Sequence, residues 1–101
     1  MSKIKKFTSI SNDVWREVMK RDNAKCIVCG ENHNLQIAHY ISRARLGLGI
    51  PENLVVLCLK CHFDYDNGKK HKEYKEFIKN YLKSKYPNWD EKNIVFKKWR
   101  F

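Results

Sequence analysis

Two Cys-x-x-Cys pairs, Cys26 with Cys29 and Cys58 with Cys61, constrain this chain more than any other feature. Each pair offers two thiolates from one tight turn, and Gly30 closes the first. Tetrahedral zinc takes four soft ligands at about 2.3 Å, so the two pairs fill one closed, structural Zn2+ site. A redox dithiol needs one pair rather than two, and buried thiols that met by chance would have no reason to repeat the spacing. The N-terminus, M-S-K-I-K-K-F-T-S-I, is basic but lacks an apolar segment, so it does not read as a secretory signal. A reducing, cytoplasmic compartment is therefore expected, where cysteines ligate metal rather than form disulfides. A chain of 101 residues reads as a single domain over residues 1–101 with a small core, which a metal staple would reinforce.

Charge narrows the partners. Lysine and arginine number 21 against 11 acidic residues, a net charge of +10 and a pI near 9.6. Such an excess attracts a polyanion, and nucleic acid is the first candidate, set against a merely soluble basic surface. With 43% hydrophobic and 32% charged residues, the balance is that of a folded chain. No apolar run is long enough to span a bilayer, so no membrane partner is expected.

Residues 1–10 carry Lys3, Lys5 and Lys6 without periodicity and read as a basic, partly mobile arm. Ser11 or Asn12 suits an N-cap, with Asp13 in the first turn. Val14, Trp15, Val18 and Met19 share one face of a basic helix over 12–21, with Trp15 as core anchor. Residues 35–40 alternate as a strand, and the loop to Asn53 contains Gly47, Gly49 and Pro51. Leu54 to Leu57 is a short β-branched run, hence a second strand. A helix should begin at the second cysteine pair and reach about Asn67, capped by Gly68. Over 69–85, Tyr74, Phe77, Ile78, Tyr81 and Leu82 form an apolar stripe opposite Lys70, Lys72, Lys75, Lys79 and Lys83. Pro87 ends this helix. The remainder is aromatic and basic (Trp89, Phe96, Lys97, Lys98, Trp99, Arg100, Phe101), with a helical turn at 90–93 and an extended segment packing back.

The stretch from Cys26 also contains Q-I-A-H-Y around His39, P-E-N-L-V-V-L around Asn53, and C-L-K-C-H-F-D-Y-D, which places His62 directly after Cys61 and ends at Asp66. Alone, His39 would read as a core histidine and Asn53 as a turn residue. Together with the cysteines, residues 26–66 resemble the HNH endonuclease family. The likeness is to the subgroup whose ββα-metal core is stapled by a four-cysteine zinc. It implies an α+β fold: a treble-clef-like core over 26–68 with flanking N- and C-terminal helices. The three signature positions fall on His39, Asn53 and His62.

The residue types suit phosphodiester hydrolysis. Imidazole titrates near working pH, and the resemblance makes His39 the base that activates water. His62 is implied as a ligand of the catalytic metal. Asp66, four residues on, shares its helical face. Mg2+, Mn2+, Ni2+ or Zn2+ is the implied cofactor. Asn53 would orient His39 or the loop, or reach the metal. Arg43, and less directly Arg45, would hold phosphate. Many relatives place a metal ligand immediately before the base, and this chain has Ala38 there, so Asp64 or Asn53 would have to compensate. His33 and His71 read as surface residues. The expectation is a divalent-metal-dependent DNA endonuclease of low sequence specificity. The size resembles that of phage and prophage members, which implies genome processing beside terminase subunits; a free-standing nuclease from a mobile element or a restriction system fits equally well. The alternatives are a catalytically weak or inactive zinc-finger-like DNA-binding module and a Cys-x-x-Cys redox protein.

Overall fold

The structure, a computed structural model, describes residues 3–97. Its centre is β2 (Leu54–Cys58), apolar in sequence and buried at all five positions. A strand buried on both faces needs a cover on each. β1 (Leu35–His39) pairs with it antiparallel, from Leu35 opposite Cys58 to His39 opposite Leu54. α2 (Asn12–Arg21) covers one face, where Val18, Leu54 and Val56 are fully buried beside Val14, Met19 and Ile37. α3 (Leu59–Asn67) and α4 (His71–Lys85) cover the other, where Ala38, Val55, Leu57, Tyr65, Ile78 and Leu82 meet. The result is an α+β fold.

The Ser11 hydroxyl caps α2, accepting from Val14 N at 3.2 Å. Trp15 is not a core anchor: it is 48% exposed. Each residue turns the helix by about 100°, and once Val14, Val18 and Met19 define the buried face Trp15 sits beside it. The α4 stripe narrows for the same reason. Ile78 and Leu82 are fully buried, Tyr74 and Tyr81 half-buried, and Phe77 45% exposed. Lys75 leaves the solvated lysine face: its ammonium lies over the Tyr40 ring and donates to the Tyr40 carbonyl at 2.6 Å.

The first ten residues depart most from expectation. Rather than a mobile arm, they contain α1 (Lys3–Thr8), with Thr8 buried. Tertiary contacts supply the order. Phe7 stacks on Phe96, with ring centroids 5.2 Å apart, and its carbonyl accepts from Gly49 N at 2.9 Å. The β1–β2 loop is held from its other side too, where Val95 bridges Gly47 and Phe96 N donates to Leu46 O at 2.7 Å. The expected C-terminal turn is a 3-10 helix over Glu91–Asn93, capped by the Asp90 carboxylate. Lys98, Trp99, Arg100 and Phe101 lie outside the described residues. Gly47 is required by space: a Cβ there would stand 1.7 Å from the Ile41 carbonyl oxygen.

One buried ion pair joins α2, β2 and α4. The Asp22 carboxylate, fully buried, accepts from Arg21 Nε at 2.7 Å, from Arg21 Nη2 and Val56 N at 2.9 Å each, and from the Tyr81 hydroxyl. Arg21 also donates to the carbonyls of Pro51 and Leu54. Removing the carboxylate leaves the Arg21 charge without its counter-ion and Val56 N and the Tyr81 hydroxyl without their acceptor. Asp22→Ala should therefore cost about 3–5 kcal/mol of stability, read from urea denaturation followed by circular dichroism.

Candidate active site

The metal cluster grows out of the two turns. Gly30, at φ +80°, lets the first knuckle close, with Gly30 N donating to Cys26 O at 2.9 Å. Ile27 N donates to Val56 O at 3.0 Å, tying the knuckle to β2. Cys58 ends β2 and caps α3, its sulfur accepting from Cys61 N at 3.4 Å. All four sulfurs lie within 4.8 Å of one another, and those of Cys29 and Cys58 are 3.6 Å apart. Thiolates about 2.3 Å from a tetrahedral ion stand about 3.8 Å apart, so the four cysteines fit a metal ion. Without a cation, burial and the neighbouring sulfurs push the Cys61 thiol well up. A cation at the centre reverses that and holds the thiolates.

α3 carries His62 round to the face away from these sulfurs. Its Nδ1 lies 2.5 Å from Gln36 Oε1, and its Nε2 lies 3.2 Å from Asp66 Oδ2. Two donors bonded at about 2.1 Å to one ion, at right angles, stand about 3 Å apart. His62 and Asp66 are therefore spaced to share a cation.

His39 closes β1 and is half-buried. Its Nε2 lies 3.0 Å from the Thr8 carbonyl. A carbonyl only accepts, so Nε2 carries the hydrogen and Nδ1 keeps the lone pair. Burial holds the His39 imidazole below its ordinary range. The Thr8 carbonyl opposes this, and the charges of Arg43 and His62 add to it. The Tyr65 hydroxyl ties α3 to the end of β1, donating to Tyr40 O at 3.0 Å.

Asn53 resolves to one of its three expected roles. Fully buried, it accepts from Ile41 N at 2.8 Å and donates to Ile41 O and Leu48 O at 3.1 and 2.9 Å. Both amide hydrogens are committed to the loop, which leaves Asn53 a staple rather than a ligand. Exposed Arg43 reaches Ser9 Oγ at 3.3 Å, and its charge bears on His39, whereas that of Arg45 bears on Lys75. Ala38 is buried in the core. Asp64 lines the groove beside the cysteine cluster with Lys25, Lys60 and Lys70, so it does not join Asp66. Among the described residues, the four cysteines form the metal-binding group of three or more, and His39 is not drawn into one with His62 and Asp66. His33 and His71 are both exposed, and His71 also stacks on Tyr65 and bonds its carbonyl at 2.6 Å. Two participants escaped the sequence reading. The Thr8 carbonyl is backbone and has no sequence signal. Gln36 could have been found from strand alternation, since it shares a face of β1 with Ala38.

Residues 26–73 match the family model described as HNH endonuclease. That stretch holds the four cysteines, His39, Asn53, His62 and Asp66. The fold is similar to that of the Type IV phosphorothioation-dependent restriction endonuclease ScoMcrA. The TM-score is 0.68 at 18% identity, over 83% of this chain and 18% of that one. The chain thus spans less than a fifth of that protein's length. No curated protein matches the sequence. The HNH endonuclease likeness thus covers residues 26–73, a little under half of the chain, and the structural likeness extends the shared fold beyond it. No helix among the described residues is long and apolar enough to cross a membrane.

Two outcomes follow from this geometry. In an NMR titration with the cysteine site filled and no other metal added, His39 should titrate below the ordinary imidazole value of about 6.5, and Arg43→Gln should move it upward by removing a repelling charge. Cys58→Ser should lower the metal content of the purified protein, read by elemental analysis, and lose cooperative thermal unfolding, because site formation is coupled to folding.

Proposed function

We propose that the chain acts, as one domain over residues 1–101, as a divalent-metal-dependent DNA endonuclease that nicks or cuts with little sequence specificity. One observation carries the reading: within the HNH-matched stretch, half-buried His39 gives its Nε2 hydrogen to the Thr8 carbonyl, which keeps Nδ1 as an acceptor, and His62 Nε2 stands 3.2 Å from Asp66 Oδ2. Nδ1 of His39 accepts the proton of the attacking water, a role suited to an imidazole kept neutral by burial. His62 and Asp66 hold the catalytic cation. That ion, Mg2+, Mn2+, Ni2+ or Zn2+, supplies positive charge to the scissile phosphate and the leaving oxygen. Arg43 grips a phosphate oxygen, with Arg45 further along the loop. The four cysteines hold Zn2+ as a structural ion. The net charge of +10 draws the polyanion.

Buried Ala38 favours a second reading, a DNA-binding module with weak or no activity, since that position offers no ligand. The setting we infer is the cytoplasm, in phage genome processing beside terminase subunits. A restriction role, by likeness to ScoMcrA, is the competing setting, and both rest on family likeness alone.

Plasmid DNA incubated with each metal separates the two readings. Wild type should nick or linearise it, and His39→Ala should lower the rate by about 10²–10⁴-fold while salt-sensitive DNA binding persists. Binding without cleavage in every metal would select the binding module, and an equally active His39→Ala would remove His39 from the chemistry.

A further inference from the structure

We infer that Gln36 is the positioning residue of the cation site. Its side-chain carbonyl holds the His62 imidazole in the Nδ1–H tautomer, so that the Nε2 lone pair faces the ion beside Asp66. The inference rests on the reading of His62 and Asp66 as metal ligands.

The geometry leaves the carbonyl few alternatives. Gln36 Oε1 only accepts, and it lies 2.5 Å from His62 Nδ1, so that nitrogen is the donor. The hydrogen of a neutral imidazole then sits on Nδ1, and Nε2 is a bare acceptor 3.2 Å from the Asp66 carboxylate. Two acceptors at that distance repel unless a positive charge lies between them. A proton or a metal ion satisfies the pair, and in both cases the bond to Gln36 persists. A ligating histidine gives its other N–H to an oxygen acceptor in just this way, which fixes the ring's orientation and raises its basicity.

The scaffold suits the task. Gln36 lies on β1 opposite Leu57, so a paired strand rather than a loop sets its position. It shares its strand face with Ala38, which presents only a methyl group. With no ligand from position 38, the aim of His62 matters more, since few other protein donors can compensate. Without Gln36, the imidazole is free to carry its hydrogen on Nε2, donate to Asp66 and close the pair against a cation.

Nitrogen-15 NMR of the imidazoles tests this on protein with the cysteine site filled and no metal added to the His62–Asp66 site, at a pH where histidine is neutral. Wild-type His62 should show the Nδ1–H tautomer, Gln36→Ala should shift it toward Nε2–H, and Gln36→Glu should preserve it. Mn2+ titrated by electron paramagnetic resonance without DNA should bind Gln36→Ala about 10–100-fold more weakly and Gln36→Glu no more weakly than wild type. Gln36 is exposed, so the variants should fold, with unchanged circular dichroism as the check. A wild-type His62 already in the Nε2–H form would overturn the inference. So would a Gln36→Ala variant with unaltered tautomer and Mn2+ affinity, or a His62→Ala variant that binds Mn2+ as wild type does. If these results hold and wild type cuts no DNA, the nuclease reading fails and the role of Gln36 stands.

Discussion

Four thiolates converging on one cation set the geometry on which the remainder depends. Cys58 is at once the last residue of β2, the cap of α3 and one of the four clustered sulfurs, so an ion held there would fix where the strand stops and how the helix leaves it. Cys61 is one turn into that helix and His62 is next, turned by about 100°. Metal ligation on one side of α3 therefore aims an imidazole on the other. A small domain can hold such an aim without a large core because ligation supplies folding free energy locally.

A second set of constraints fixes His39. The loop between the strands is long and glycine-containing, and left alone it would move. Asn53 binds it from inside, while α1 and residues 94–96 clamp it from outside through backbone hydrogen bonds and the Phe7–Phe96 stack. The Thr8 carbonyl reaches His39 as a by-product of that clamp. α1 lies outside the stretch that matches the family, yet it decides which nitrogen of His39 carries the hydrogen. Burial, helped by the charge of Arg43, then favours the neutral ring, the state in which it can accept a proton. The Arg21–Asp22 knot is separate from this chemistry. It ties α2 and α4 to β2 through the Asp22 carboxylate.

The legible parts of the fold were those with a local code. Cysteine spacing, the β-branched run before Cys58 and the i, i+4 relation of His62 to Asp66 each follow from short-range geometry, and each has its counterpart in the structure. Readings that depended on the third dimension went differently. Trp15 and Phe77 carry the apolar character of core residues, but which edge of an amphipathic face is buried depends on the neighbour, and both lie outside the covered arc. Residues 3–8 have no periodicity that predicts a helix, since their order comes from a partner nearly ninety residues away. Asn53 read as a residue with three roles, and only the loop around it selects one. Hydrogen bonds to backbone carbonyls, such as Thr8 to His39, leave no trace in side-chain identity.

The central claim is that the imidazoles of residues 39 and 62 face one phosphate from opposite sides, the first with a lone pair and the second with a cation. Anomalous scattering from a Mn2+-soaked crystal of His39→Ala bound to duplex DNA examines it directly. The account predicts a manganese peak bonded to Nε2 of His62 and the Asp66 carboxylate, with a backbone phosphate between it and the space vacated by the residue 39 ring. Manganese bound elsewhere, or DNA lying across a face remote from residue 39, would contradict it.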